Sequence, residues 1–221
     1  MSGITRRKFL SSAAGAAVVS ALEPPSLFAE KKKADALPAP LAQDETSLMD
    51  ALKNRRSTRS FSKKPLPAQT LSNLLWAAFG INRPETGYRT APSPKNSQEI
   101  EIYAAKEDGL FLFDPYFHQL VQVVDEDIRS ACGIQEFAST APLNLVYVAD
   151  FSRLGNRPDE KKLFYAGVDA GCISQNVYLF CAAFGLGTVV RDWIDRPTLG
   201  KKMNLRDDQR IILAQTVGYP G

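Results

Sequence analysis

The sequence is short of the residues that build metal and nucleophile sites. It holds one histidine, His118, and three cysteines, Cys132, Cys172 and Cys181, with no CxxC pair. A tetrahedral zinc site draws four such ligands from close spacings, so no metal is expected. Cys172 and Cys181 fall nine residues apart on one expected helix. At ~1.5 Å per residue they are roughly 13 Å apart along its axis, too far for a disulfide. All three read as buried apolar thiols. No GxGxxG opens a helix after a strand, so a dinucleotide-binding Rossmann unit is excluded. No apolar run reaches the ~20 residues that span a bilayer. Internal repeats and low-complexity tracts are missing too.

Excess charge is also scarce. The net charge of +3 is small, and it is local. Residues 1–36 contain six basic residues and three acids, which leaves 21 of each sign in the remainder. A nucleic-acid coat or an anionic-membrane surface shows a basic excess, so neither is expected as a partner.

What is present begins with those 36 residues. A basic start precedes a mild apolar stretch, Phe9 to Leu22, and then small residues. The core "TRRKFL", with paired Arg6 and Arg7, resembles a twin-arginine export signal. Two cleavage points fit, after Ala29 and after Ala36, where "ADA" is a small-x-small triplet. The expected location is periplasmic, with membrane contact only through the signal if it stays uncleaved. Residues 37–43, "LPAPLAQ", read as a linker, and 44–221 as one domain.

Periodicity orders that domain. "DETSLMDALKNRR" is a helix capped by Asp44 or Thr46. "PAQTLSNLLWAAFG" is a second, with Leu71, Leu74, Leu75 and Ala78 on one side and Gly80 at its end. Residues 81–96 read as loop. "EIEIYAA" and "LFLFD" form a hairpin across "KEDG". "HQLVQVV" is a third short strand or the start of a helix, and "DEDIRSACG" a capped helix. "LNLVYVADF" is apolar on both faces, as a central covered strand requires. Residues 158–184 form a long helix, apolar nearly all round from Ala170 onward, that stops at Gly185 and Gly187. "TVVRDW" and "RIILAQTVG" are strands flanking a short helix in "RPTLGKKMN". The class is α+β, a mixed sheet with helices packed on it.

Three segments carry candidate chemistry. "RRSTRSF", Arg55 to Phe61, offers three guanidinium groups and three hydroxyls, enough to hold one phosphate by bidentate, charge-assisted bonds. By local composition it equally reads as a solvated basic loop. "PSPKNSQ" places polar amides and hydroxyls at a strand entrance, or simply makes a turn. "FGLGTVV" lets backbone approach a flat ligand, or simply caps the long helix.

In this order, and with "VGYP" at the end, the segments resemble the nitroreductase-like flavoproteins over roughly residues 46–220. "YRTAPS" and "EIEIYAAKEDGLFLFDPYFHQL" look most like the branch that includes the thiazoline and oxazoline peptide dehydrogenases. The resemblance implies a nitroreductase-like mixed sheet around a long central helix, a homodimer, and FMN at the subunit interface. Arg55, Arg56, Ser57 and Arg59 would hold the FMN phosphate and ribityl chain. Ser93 and Asn96 would reach the flavin from the partner subunit. Backbone around Leu186, Gly187 and Thr188 would bond near flavin N5 and O4. The implied activity is two-electron transfer at flavin N5 with a small-molecule substrate or electron carrier. A non-catalytic flavin binder and an oxygen-dependent, flavin-consuming enzyme are the alternatives. Many members carry a basic pair after "GYP" for the phosphate; here Arg191 or Lys95 would stand in. The Lys-Tyr pair of the peptide-dehydrogenase branch has only Lys161, Lys162 and Tyr165 in its region, without the same adjacency. His118 is a candidate proton donor near the substrate, and Tyr165 is a second catalytic candidate that would line the flavin face. Tyr88 and Trp193 are candidates to line the flavin face.

Overall fold

A computed structural model describes residues 33–41 and 46–221. The twin-arginine motif and the cleavage point after Ala29 lie outside the described residues. Among those described, no helix is long and apolar enough to cross a membrane.

The chain opens with a short strand, β1 (Ala34–Ala36), and helices α1 (Leu48–Asn54) and α2 (Ala68–Phe79). Ser47 caps α1 by accepting from Asp50 N, so the cap is neither Thr46 nor Asp44, and Asp44 lies outside the described residues. A small hairpin, β2 (Ile81–Arg83) and β3 (Tyr88–Arg89), occupies part of the stretch expected as loop. Three antiparallel strands follow: β4 (Ile100–Lys106), β5 (Gly109–Asp114) and β6 (Gln119–Val124). The helix expected in "DEDIRSACG" is only a single 3-10 turn, Arg129–Ala131. Asp127 accepts there from both the backbone N and the guanidinium of Arg129, and such local bonding competes with helix. Next come α3 (Glu136–Thr140), β7 (Leu143–Asp150), α4 (Asp159–Ala183), β8 (Gly187–Arg191), α5 (Arg196–Lys202) and β9 (Gln209–Gly218).

Seven strands form one sheet in the order β1-β6-β5-β4-β7-β9-β8. Every pairing in it is antiparallel, where the sequence suggested mixed directions. The reason is topological. Helix α4 carries the chain from β7 past one position to β8, and β9 fills the gap antiparallel to both. β7 is buried along its whole length, and its alternation separates two cores. Leu143, Leu145, Tyr147 and Ala149 pack with α2 and α4 through Leu74, Leu75, Ile173 and Phe180. Val146 and Val148 pack on the other face with Ile128, Cys132, Leu199 and Met203. Burying a side chain such as Leu74 or Ile173 stabilises the fold by ~1.5–3 kcal/mol. All three cysteines are free thiols, and burial pushes Cys132 up to about 12.

The end of the expected signal and the described part of the expected linker, residues 33–41, are tied down. β1 pairs with β6 through Ala34–Val121 and Ala36–Gln119. Leu41 N donates to Asn73 Oδ1 at 2.9 Å, and Gln69 Nε2 donates to the Ala39 carbonyl at 2.9 Å. Residues 33–41 therefore run along the sheet edge and over α2.

Candidate functional site

After α1 the chain turns extended and runs beside β8, the strand at the sheet edge. Arg55 N closes the helix on the Ala51 carbonyl at 2.9 Å. Thr58 N then donates to the Thr188 carbonyl at 2.9 Å, and Ser62 N to the Tyr219 carbonyl at 2.9 Å. Phe61 bridges Pro220. "RRSTRSF" thus covers an edge that would otherwise expose unpaired backbone groups.

The two glycines of "FGLG" do different work. Gly185, at φ 66°, ends α4 in the left-handed conformation, and Leu186 N donates back to the Cys181 carbonyl at 2.8 Å. Gly187 makes room: a Cβ there would lie 2.8 Å from Thr58 Cγ2. The approach of "RRST" to β8 needs that missing methyl group.

Behind the segment stands Tyr178, on the buried side of α4. Its hydroxyl lies 3.0 Å from Ser57 Oγ and accepts from Val190 N at 3.0 Å. The Arg55 guanidinium sits 5.2 Å from its ring centroid. Together these groups border a cavity of about 440 Å³ lined by Lys53, Arg55, Arg56, Thr58, Tyr178 and Leu186, among others. Three cations line it, and among the described residues no carboxylate does. That donor set fits a phosphate monoester.

Of the residues expected from the sequence, Arg55, Arg56 and Leu186 line this cavity; Ser57 is outside the lining and bonds Tyr178, which with Lys53 lines it without having been expected. Lys53 had a signal, two positions before Arg55. Tyr178 had none beyond helical spacing. Arg59 is exposed and outside the lining. The Thr188 hydroxyl donates to the Thr216 carbonyl at 2.8 Å.

Ser93 and Asn96 are not brought to this cavity within the chain. They belong to a tight turn before β4 in which Lys95, Asn96 and Gln98 have φ of 55°, 55° and 48°. Left-handed conformations at three non-glycine residues are strained, and such strain gathers at functional sites. Gln98 holds the turn: its backbone N donates to Ser93 Oγ and its amide to Asn96 Oδ1, while its Oε1 accepts from Arg89. Beneath the turn lie two buried carboxyl groups, Glu99 and Asp169. Ser97 Oγ donates to Glu99 Oε2 at 2.7 Å, but no N–H or hydroxyl reaches Glu99 Oε1 or Asp169 Oδ2. A proton on Asp169 supplies the donor the pair lacks. Burial, then the bond to Glu99 and its charge, push Asp169 up to about 8.

The remaining candidates lie elsewhere. His118 Nε2 is 2.7 Å from Ser72 Oγ, which itself donates to the Pro38 carbonyl at 2.5 Å. With the hydroxyl proton so used, Nε2 carries the proton of the shared bond. Burial lowers the His118 pKa; the His118 backbone carbonyl accepts from Leu37 N at 3.1 Å, while Ser72 of α2 bonds both the ring and the Pro38 carbonyl. Tyr165 sits near the start of α4 under Lys161 and Arg157, and Trp193 is exposed. Tyr88 lies beneath the Arg83 guanidinium.

Arg191 does not supply a phosphate contact. It is buried, and its nitrogens donate to Thr216 Oγ1, the Cys132 carbonyl and Asn144 Oδ1. All its donor positions face protein. Lys95 is exposed on the turn, away from the cavity.

Residues 52–219 match the Nitroreductase family. The chain belongs to that family. A protein of Methanocaldococcus jannaschii, provisionally named a nitroreductase, is 32% identical over 156 residues, covering 66% of this chain and 78% of its own. A crystal structure of a provisionally named nitroreductase from Ralstonia eutropha is 42% identical, with TM-score 0.82 over 86% of this chain and 90% of its own. The Escherichia coli microcin synthetase McbBCD complex shares the fold at 20% identity, with TM-score 0.68 over 97% of this chain and 85% of that one. The protein is thus a nitroreductase-family oxidoreductase.

Proposed function

We propose that this nitroreductase-family protein is an exported, FMN-dependent oxidoreductase that works as a homodimer. The observation that carries the reading is the cavity beside β8, lined by Lys53, Arg55 and Arg56 and by no carboxylate among the described residues. Arg55, Arg56, Ser57 and Lys53 would hold the phosphate by charge-assisted bonds, each contributing ~1.5–3 kcal/mol. Arg59 would add long-range attraction from outside. Backbone at Gly187 and Thr188 would border the ring. When bound, the flavin supplies two-electron hydride chemistry at N5. The chain's own groups bind and orient it.

Two features support a second subunit. Ser93 and Asn96 lie outside the lining of the Arg55 cavity, as residues supplied by a partner copy would. Leu163, Phe164 and Val168 of α4 and Leu48, Met49 and Leu52 of α1 are exposed, an apolar area suited to pairing.

Export follows from the "TRRKFL" motif, and the route suits a flavoprotein because it carries folded cargo. Cleavage after Ala29 would keep β1, whereas cleavage after Ala36 would remove a paired strand. No nicotinamide donor is expected outside the cytoplasmic membrane, so the redox partner would be a quinol, a small electron carrier or an oxidisable substrate. The purified protein should be yellow, with FMN released on denaturation and a dimeric mass by light scattering. A preparation that stays colourless after FMN is added refutes the reading.

A further inference from the structure

The Tyr178 hydroxyl has one proton to give and two lone pairs to offer. Val190 N–H fills one lone pair, at 3.0 Å. Ser57 Oγ, also at 3.0 Å, is the only other partner among the described residues. If Ser57 donated to Tyr178, the buried tyrosine proton would have no acceptor, which costs ~1–3 kcal/mol. The favoured direction therefore runs from Val190 N–H to Tyr178 O–H to Ser57 Oγ. That leaves the Ser57 proton as a donor, directed away from Tyr178. Ser57 itself is exposed; its chain neighbours Arg56 and Thr58 and its partner Tyr178 line the cavity, as does Arg55. The same ring carries the Arg55 guanidinium 5.2 Å from its centroid, an attraction that restricts where the arginine can swing.

We propose that Tyr178 is a positioning residue that makes this site selective for a phosphorylated flavin. It rests on the FMN reading above. By aligning Ser57 as a donor and holding Arg55 in place, Tyr178 prepares the cavity for an oxyanion before the ligand arrives. A neutral ribityl hydroxyl draws far less from such a set, because a charged acceptor roughly doubles the strength of each bond.

The test compares FMN with riboflavin, which lacks only the phosphate, by quenching of flavin fluorescence on the flavin-stripped full-length protein. Tyr178→Phe keeps the ring and removes the hydroxyl. We expect FMN affinity to fall about tenfold, the loss of roughly one charge-assisted bond. Riboflavin affinity should stay within about twofold, because the changed bond serves only the phosphate. A partly unfolded preparation lowers both affinities together, so the FMN-to-riboflavin ratio reports selectivity alone. Because Tyr178 acts through Ser57, the double variant Tyr178→Phe/Ser57→Ala should bind FMN no more weakly than Ser57→Ala. An unchanged ratio in Tyr178→Phe, or losses that multiply in the double variant, overturns the role of Tyr178 and leaves FMN binding standing. A wild-type protein that binds neither flavin overturns the FMN reading itself, and the Tyr178 role with it.

Discussion

Replacing Asp169 with asparagine removes one of the two carboxyl groups that meet beneath the 93–98 turn. In the folded wild type, Asp169 keeps its proton to about pH 8. In the unfolded chain the same group titrates near 3.8. Between those values the unfolded state has lost a proton that the folded state retains. Stability from this group is therefore fullest below about pH 4 and falls as pH rises toward 8. The slope approaches ~1.4 kcal/mol per pH unit, or about 2–3 kcal/mol between pH 5 and 7. Asparagine has nearly the same shape, does not ionise, and offers an N–H to Glu99 Oε1.

Urea unfolding from pH 5 to 8.5, followed by circular dichroism, reads this directly. Nearby groups also titrate: burial raises Glu101, while Asp150 is lowered despite its burial by the Ser152 hydroxyl and the Arg153 and Arg206 charges. These occur in both proteins, so the difference between the two stability curves isolates Asp169. The variant should gain on the wild type steadily as pH rises and match or exceed it by pH 8. A difference curve that stays flat across this range would show that Asp169 is ionised throughout, and the shared-proton account would fail.

Two further perturbations probe the site and its surroundings. Gly187→Ala puts a methyl group against Thr58, whose backbone is pinned to Thr188, and should cost ~1–3 kcal/mol in urea unfolding while speeding flavin release; a neutral effect would show that the segment does not need the close approach. Arg191→Lys cannot reproduce three divergent bonds and should destabilise by ~1–3 kcal/mol, yet leave the FMN-to-riboflavin affinity ratio unchanged; a changed ratio would place Arg191 in the clamp after all.

The layers of the fold were legible because burial on two faces leaves a period. β7 shows it: Leu143, Leu145 and Tyr147 against Val146 and Val148 are the two cores already written in sequence. α2 and α4 were legible for the same reason. The hairpin at 81–89 was not, since its turn residues outweigh two very short strands. The turn at 129–131 was misread as helix because Asp127 looks like a cap; it does bond the Arg129 backbone, but the chain does not continue helically. Arg191 was misassigned because its partners lie at 132, 144 and 216, where no local pattern points to them. Tyr178 was invisible for a similar reason: its hydroxyl meets Ser57, 121 residues earlier.

The charge pattern around the cavity argues for an anionic occupant on physical grounds. Several arginines elsewhere are neutralised locally: Arg129 with Asp127, Arg153 with Glu101 and Asp150, Arg206 with Asp150 and Asp208. Lys53, Arg55 and Arg56 line the cavity beside β8 with no carboxylate among the described residues, and Arg55 is met by an aromatic face. Like charges gathered this way repel, and that repulsion is a standing cost to the fold. Water could solvate three free cations more cheaply if they were spread apart. The chain instead fixes the backbone that carries Arg55 and Arg56 with a bond from Thr58 and a glycine that admits the segment to β8, and it sets a ring under Arg55. Such an arrangement is favourable when a dianion completes it, because the backbone that bears the arginines is already ordered. The basic loop is thus better understood as half of an ion pair than as a solvated surface.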